Sequence, residues 1–409
     1  MQKNSTLRSF IKWMLIASAV GIVIGLVGAL FDISIRQATA FRTERPWMIY
    51  LLPLAGVVIP TIYKWMDMDS DKGTNSVIIA ARSGKRLPMR TMLLIFAGTV
   101  LTHLCGGSAG REGAALQLGA SMAHRIGAAV RLDKKDLRIM TMTGMSAGFS
   151  ALFGTPLAAA VFAMEVTSVG SMQYTAIVPC IVSALVAWMV TDRLGVVPER
   201  FTITDIPFLT LSAFAKTLVI AAFGALISIL FCVVLHKVSK AYKKRIPNAI
   251  LRGGAGGILA AAVITLSGSR DFCGAGMDVI ERAFLNPADP QAFIIKIILT
   301  AITLGAGFKG GEIVPVFFVG ATFGSFVSPF LGVSPSFGAA IGMTALFCGV
   351  TNCPMASLFI AVELFGAEAL PFFGVAAVSY LLSGYERLYS EQRISAPKTA
   401  HAHVDKKIK

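Results

Sequence analysis

The feature that most limits how this chain can fold is a charged pair set in a glycine-rich break between two apolar runs. The run ending at Cys105 gives way to Gly106-Gly107-Ser108-Ala109-Gly110-Arg111-Glu112-Gly113, and mostly apolar residues resume from Ala114 to Ala123. Charge at membrane depth is expensive and survives where it faces a cavity, a partner or a pathway. The glycines let the backbone turn sharply and let a ligand approach it. A helix starting near Glu112 aims free N–H groups at that place, and such a helix start binds anions. Gly110, Arg111 and Gly113 are therefore candidate anion-binding positions, and Glu112 is the charged group among them that needs a reason. For Arg111, fixing the turn or raising the local positive potential is the preferred role over direct ligation. A carboxylate that merely caps its own helix is the simpler reading of Glu112, but a bare cap requires neither the flanking glycines nor a second copy.

A second copy exists. In Gly307-Phe308-Lys309-Gly310-Gly311-Glu312-Ile313-Val314-Pro315, the positions of Gly107, Gly110 and Glu112 recur as Gly307, Gly310 and Glu312. The stretch from Gly144 to Val166 also aligns without a gap on Gly342 to Leu364, with Pro156 on Pro354 and Glu165 on Glu363. Two ordered matches at nearly one offset divide the chain into related halves, expected at residues 1–200 and 208–382, with the charged, proline-containing stretch 193–207 near their junction. Paired apolar segments interrupted by Gly or Pro point to a transporter's site at the membrane midplane. Glu312 therefore joins Glu112, and Gly311 and Ile313 join the anion-binding candidates; pairing with Lys309 is the plainer role for Glu312. Glu165 and Glu363 read as helix-end packing pairs and stay outside the site.

With 55% hydrophobic and 14% charged residues and a mean hydropathy of +0.71, the chain is too apolar for an ordinary soluble domain. An all-α polytopic membrane protein is expected. Several apolar segments are far shorter than the roughly 20 residues that cross a bilayer, so half-helices meeting inside protein are expected. The run Trp13 to Ile35 is too long for a signal-peptide core and reads as a retained first helix. The net charge of +15 is spread through short segments between apolar runs, which fits positive juxtamembrane loops better than nucleic-acid binding. It implies a multi-pass protein of the cell membrane, in a bacterium the inner membrane, with both termini cytoplasmic. Residues 383–409 read as a short terminal helix followed by a basic tail, and Asp271 to Gln291 as an exposed loop. The six cysteines show no C-x-x-C spacing and no H-E-x-x-H is present, so buried thiols are expected, with no metal, cofactor or enzymatic centre.

With these residues in place, the chain resembles the CLC family of chloride channels and anion/proton exchangers over nearly its whole length. GREG at 110–113, the stretch 144–166, GG-x-x-x-P at 310–315 and Leu388-Tyr389-Ser390 fall in the family's order. The resemblance implies an inverted-repeat fold with broken helices meeting at the midplane, a homodimer with one anion pathway per subunit, and Glu112 as a gate that swings as it protonates. It implies that Tyr389 offers its hydroxyl to the anion. It also sets Gly73-Thr74-Asn75-Ser76-Val77 where the family usually has G-S-G-I-P, leaving Thr74, Asn75 and Ser76 all as candidates to face the anion. A second departure, GGEIVP for GG-I-F-A-P, puts Glu312 in place of an apolar residue. That pattern is similar to the fluoride/proton exchanger branch, where this glutamate takes part in coupling and the internal proton glutamate of the chloride/proton exchangers is missing. Glu199 lies near where that internal group would align and reads as a linker residue. Fluoride/proton antiport is the expected function, with chloride/proton exchange or a passive chloride channel as the alternative.

Overall fold

The computed structural model describes residues 2–398. The first half runs through α1 (Gln2–Glu44), α2 (Leu52–Trp65), α3 (Thr74–Ser83), α4 (Arg90–Cys105), α5 (Glu112–Ala129), α6 (Lys134–Phe153), α7 (Pro156–Glu165), a two-residue strand β1 (Ser168–Val169) and α8 (Ile177–Arg193). The second half repeats the succession of a long helix, shorter helices and short paired ones: α9 (Leu211–Arg245), α10 (Ala249–Leu266), α11 (Met277–Leu285), α12 (Ala292–Ala306), α13 (Ile313–Leu331), α14 (Pro335–Thr351), α15 (Pro354–Phe365), α16 (Leu370–Ala376) and α17 (Ser379–Leu382). A second short strand, β2 (Arg393–Ile394), pairs in parallel with β1.

Six helices among the described residues are long and apolar enough to cross a membrane. In five of them 33% to 44% of the most apolar stretch is buried, as expected of helices with a lipid-facing side, whereas in Ile313–Leu331 the share is 78%. Helix α13 is therefore enclosed by protein, which allows its polar start to sit at membrane depth. Helix α7 has 10 residues, about 15 Å at the usual rise, and reaches only halfway across a ~30 Å hydrocarbon core.

The short helices solve the problem of their unpaired ends across the repeat. The Glu165 carboxylate, at the end of α7, accepts N–H bonds from Met355 (3.2 Å) and Ala356 (2.9 Å) at the start of α15. Glu363, at the equivalent place on α15, accepts from Leu157 (3.0 Å) and Ala158 (2.8 Å) at the start of α7. Each acid caps the other's helix, a role worth ~0.5–2 kcal/mol in soluble hosts. Close helix packing also repeats: a Cβ added at Gly119 would lie 2.1 Å from the Gly144 carbonyl oxygen, and one at Gly324 would lie 2.0 Å from that of Gly338. Only glycine permits these approaches.

Two sequence expectations are corrected. Within Asp271 to Gln291, α11 presents Val279, Ile280, Ala283 and Phe284 to the interior, with Phe284 stacked on Phe201 at 4.9 Å. These four fall on one helical face that the polar neighbours conceal in a count of composition. After Leu382 no helix follows among the described residues; the chain turns and runs into β2 instead. Gly384 has φ +60°, a conformation suited to a turn. The basic residues beyond Lys398 lie outside the described residues.

Candidate functional site

The two motif loops meet. Gly110 and Gly311 exchange backbone bonds, each N–H donating to the other's carbonyl at 2.7 Å, and this isolated antiparallel bridge holds the starts of α5 and α13 against each other. Near the start of a helix the N–H groups lack partners within the turn; at α13 Pro315 has no N–H to offer, so Ile313 and Val314 carry that end. Glycine is required at 113, because a Cβ there would lie 2.9 Å from the Gly311 Cα and 3.0 Å from Glu312 Oε2. Thr74 Oγ1 is 3.5 Å from the same point. Glu312 Oε2, the Thr74 hydroxyl and the Gly113 backbone thus border one small space.

Glu112 and Glu312 sit at equivalent helix starts but in different company. Glu112 is buried, with Oε2 accepting from the Arg111 N–H at 3.0 Å and Oε1 3.4 Å from Arg111 Nε. Glu312 Oε2 is buried with no hydrogen-bond partner among the described residues. Tyr389, one of the largest fully buried side chains, likewise has a hydroxyl without a partner among the described residues. Its backbone is fixed by its neighbours: the Leu388 N–H donates to Val350 O (2.9 Å), and Gln392 Nε2 donates to Thr351 O (2.8 Å).

Two hollows approach this centre. One, of about 800 Å³, is lined by Thr74, Gln117, Lys309 and Glu312 and by the polar rim Asp71, Lys72 and Glu391. The other, of about 580 Å³, is lined by Arg36, Arg42, His103, Arg111 and Glu199. Glu112 lines neither, while its neighbour Arg111 lines the smaller one. Lys309 does not pair with Glu312 among the described residues; its ammonium lies 4.0 Å from the Tyr63 ring centre, a cation–π arrangement.

The structure sorts the candidates taken from sequence. Thr74 is buried and receives a bond from Gln117 Nε2 at 3.2 Å. Asn75 faces elsewhere, its Oδ1 accepting from the Glu391 N–H at 3.0 Å. Ser76 is also turned aside, donating to Asp71 Oδ1 at 3.1 Å and accepting from the Lys72 N–H at 3.1 Å. The Arg111 guanidinium is occupied by carboxylates, donating to Asp32 and, at 2.5 Å, to Glu199. The guanidinium is thus held between two carboxylates. Glu199 lies between α8 and α9 as expected of a linker, yet it is an ion-pair partner of Arg111, the residue next to Glu112.

Asp32 and Gln117 were not among the sequence candidates. Asp32, on α1, is buried between Arg111 and Arg36, whose Nε lies 2.6 Å away. The signal was present: it is an acid inside the apolar run Trp13 to Ile35. Gln117 is the carboxamide in the run Ala114 to Ala123, buried, with Oε1 unpartnered among the described residues. Outside the membrane-spanning helices, Lys72 donates to the Glu391 carboxylate at 2.9 Å and holds its pKa below the usual carboxyl value.

Comparison with known proteins covers nearly all of the chain. The family described as voltage gated chloride channel matches residues 55–384. A chloride/fluoride channel protein of Pseudomonas syringae pv. tomato is 38% identical over 396 residues, spanning 95% of this chain and 87% of the relative. A crystal structure of a CLC-type fluoride/proton antiporter superposes with a TM-score of 0.91 at 32% identity, over 94% of this chain and 98% of that one. A slow cyanobacterial chloride/proton antiporter shares the fold at a TM-score of 0.78 and 18% identity, over 92% of this chain and 96% of that one.

Proposed function

Because this chain belongs to the voltage gated chloride channel family, we propose that it exports fluoride across a membrane in exchange for protons. The observation that carries the proposal is Glu312, whose Oε2 is buried with no partner among the described residues and borders the same space as the Thr74 hydroxyl and the start of α5. Fluoride is small, strongly hydrated and a strong hydrogen-bond acceptor, so a site for it must replace water with fixed donors. The N–H groups of Gly113 and Ile313, the hydroxyls of Thr74 and Tyr389, and the protonated carboxyl of Glu312 are donors of that kind. The relative named as a chloride/fluoride channel and the neighbour titled as a fluoride/proton antiporter support the choice of ion.

Glu112 supplies the coupling. When ionised it occupies the anion position at the start of α5; when protonated it leaves and the anion enters. One side chain then links the two ligands, which is what a coupled exchange requires. The ion pairs of Arg111 with Asp32 and Glu199 hold the loop that presents Glu112. Gly110 and Gly311 contribute by pairing the two loops.

The exchange takes place in a bacterial inner membrane, with both termini cytoplasmic, the 800 Å³ hollow facing the cytoplasm and the smaller one facing out. The working form is a homodimer with one pathway in each subunit, and each subunit consists of two membrane halves joined near residues 193–207. The test is anion efflux from liposomes holding the purified protein, with fluoride or chloride inside and the external pH recorded. Fluoride efflux coupled to proton uptake is expected. Chloride leaving as readily as fluoride overturns the proposal in favour of chloride/proton exchange, and fluoride efflux without proton movement leaves a channel.

A further inference from the structure

Gln117 donates from Nε2 to the Gly113 carbonyl at 3.1 Å and to Thr74 Oγ1 at 3.2 Å, while its Oε1 is buried without a partner among the described residues. The carboxamide cannot be reversed. Flipping it would set Oε1 against the Gly113 carbonyl oxygen at the same distance, two acceptors facing each other. Both Nε2 protons are thereby committed, one to Gly113 and one to Thr74.

The consequence falls on Thr74. A hydroxyl has a single proton, and one that accepts from Gln117 must direct that proton elsewhere. No acceptor for it occurs among the described residues, and the space it borders is the one shared by Glu312 Oε2 and Gly113. We infer that Gln117 is a positioning residue for anion selectivity: it fixes the Thr74 hydroxyl as a donor aimed into the anion path. This rests on the fluoride/proton exchange proposed above and adds to it the device that orients one of the donors. A donor oriented in advance favours the anion with the denser charge, because it need not reorganise when the ion arrives. It therefore discriminates for fluoride over chloride. The unpartnered Oε1 fits such a role, since a buried acceptor without a donor is destabilising and an apolar side chain would fill the same place without that penalty.

The test is made on the full-length protein in liposomes, with fluoride and chloride efflux and proton uptake measured for each variant. Gln117→Leu frees the Thr74 proton to turn back to the Gly113 carbonyl, and the fluoride-to-chloride rate ratio is expected to fall about tenfold, equal to ~1.4 kcal/mol. Thr74→Val should lower it by a similar factor. The double variant should be no worse than the poorer single one, because both remove the same donor. Gln117→Glu supplies a readout that a packing role would not move. Its ionised carboxylate draws the Thr74 proton toward itself, so the ratio should be low at neutral pH and recover on acidification.

A wild-type ratio in Gln117→Leu, losses that multiply in the double variant, or a pH-independent ratio in Gln117→Glu would each overturn the inference. If Gln117→Leu fails to fold, Thr74→Val and Gln117→Glu decide it. The proposed function fails on a different measurement, wild-type chloride transport as fast as fluoride transport. The orienting of Thr74 by Gln117 is then read on chloride rates alone, where multiplying losses refute it and non-multiplying losses uphold it, while the preference for fluoride falls with the proposed function.

Discussion

Replacing Glu112 by glutamine tests its proposed role as the gate with the least disturbance of shape. The carboxylate accepts from the Arg111 N–H at 3.0 Å and lies 3.4 Å from Arg111 Nε, and Arg111 is itself anchored by Asp32 and Glu199. A glutamine keeps the size but loses the charge, so the bond to the Arg111 N–H becomes a neutral one. Hydrogen bonds to charged groups contribute ~1.5–3 kcal/mol against ~1 for neutral ones. The side chain then competes with the anion less well by up to ~2 kcal/mol, a factor of up to about 30. It also carries no titratable proton. In liposomes loaded with fluoride, with a fluoride electrode and external pH recorded together, proton uptake should fall to the level of empty liposomes. Fluoride efflux should persist or rise. Proton uptake per fluoride equal to the wild type would refute the reasoning, because the proton would then travel by a route that does not include Glu112.

Glu312→Ile should abolish most fluoride transport while leaving the purified protein as stable as the wild type to heating in detergent, since it removes a carboxyl oxygen, Oε2, that is buried without a partner among the described residues. Gly113→Ala should slow transport at least tenfold, because its Cβ meets the Gly311 Cα at 2.9 Å and Glu312 Oε2 at 3.0 Å, overpacking of a kind that destabilises by ~1–3 kcal/mol; unchanged efflux would contradict the close approach of the two loops. Glu165→Ala and Glu363→Ala should each lower thermal stability by a similar amount, on the order of 1 kcal/mol, since the two caps are reciprocal, and a loss confined to one would argue against that symmetry. Lys72 lowers the Glu391 pKa, so this bond contributes above the unfolded carboxyl value of about 4.3 and is lost only as pH falls through the lower folded value. Between pH 5 and 8 Glu391→Gln should therefore have a constant effect on stability, no more than ~1 kcal/mol because the pair is partly exposed, and an effect that varies across that window would contradict the assignment.

That this chain is a helical membrane protein built from two related halves is legible in its residues alone, because composition and the ordered matches of Gly107, Gly110 and Glu112 with Gly307, Gly310 and Glu312 are properties of the string. The string also singles out both glutamates, since a carboxyl at membrane depth between glycines demands a reason. The α11 face formed by Val279, Ile280, Ala283 and Phe284 was present as a periodic pattern but hidden by polar neighbours. Asp32 likewise stood in plain view within an apolar run.

What the polar side chains touch depends on the assembled helices. Thr74, Asn75 and Ser76 are consecutive at the start of one helix, where neighbours differ by about 100° in direction; nothing local tells which points at the path. Packing gives each a different partner: Gln117 takes Thr74, the Glu391 backbone takes Asn75, and Asp71 takes Ser76. Arg111 shows the same division. Its charge suggests an anion ligand, but Asp32, far earlier in the chain, and Glu199, far later, occupy its guanidinium. Hydrophobic period reports how each helix is buried, whereas the pairing of groups separated by long stretches of chain depends on how the helices are assembled.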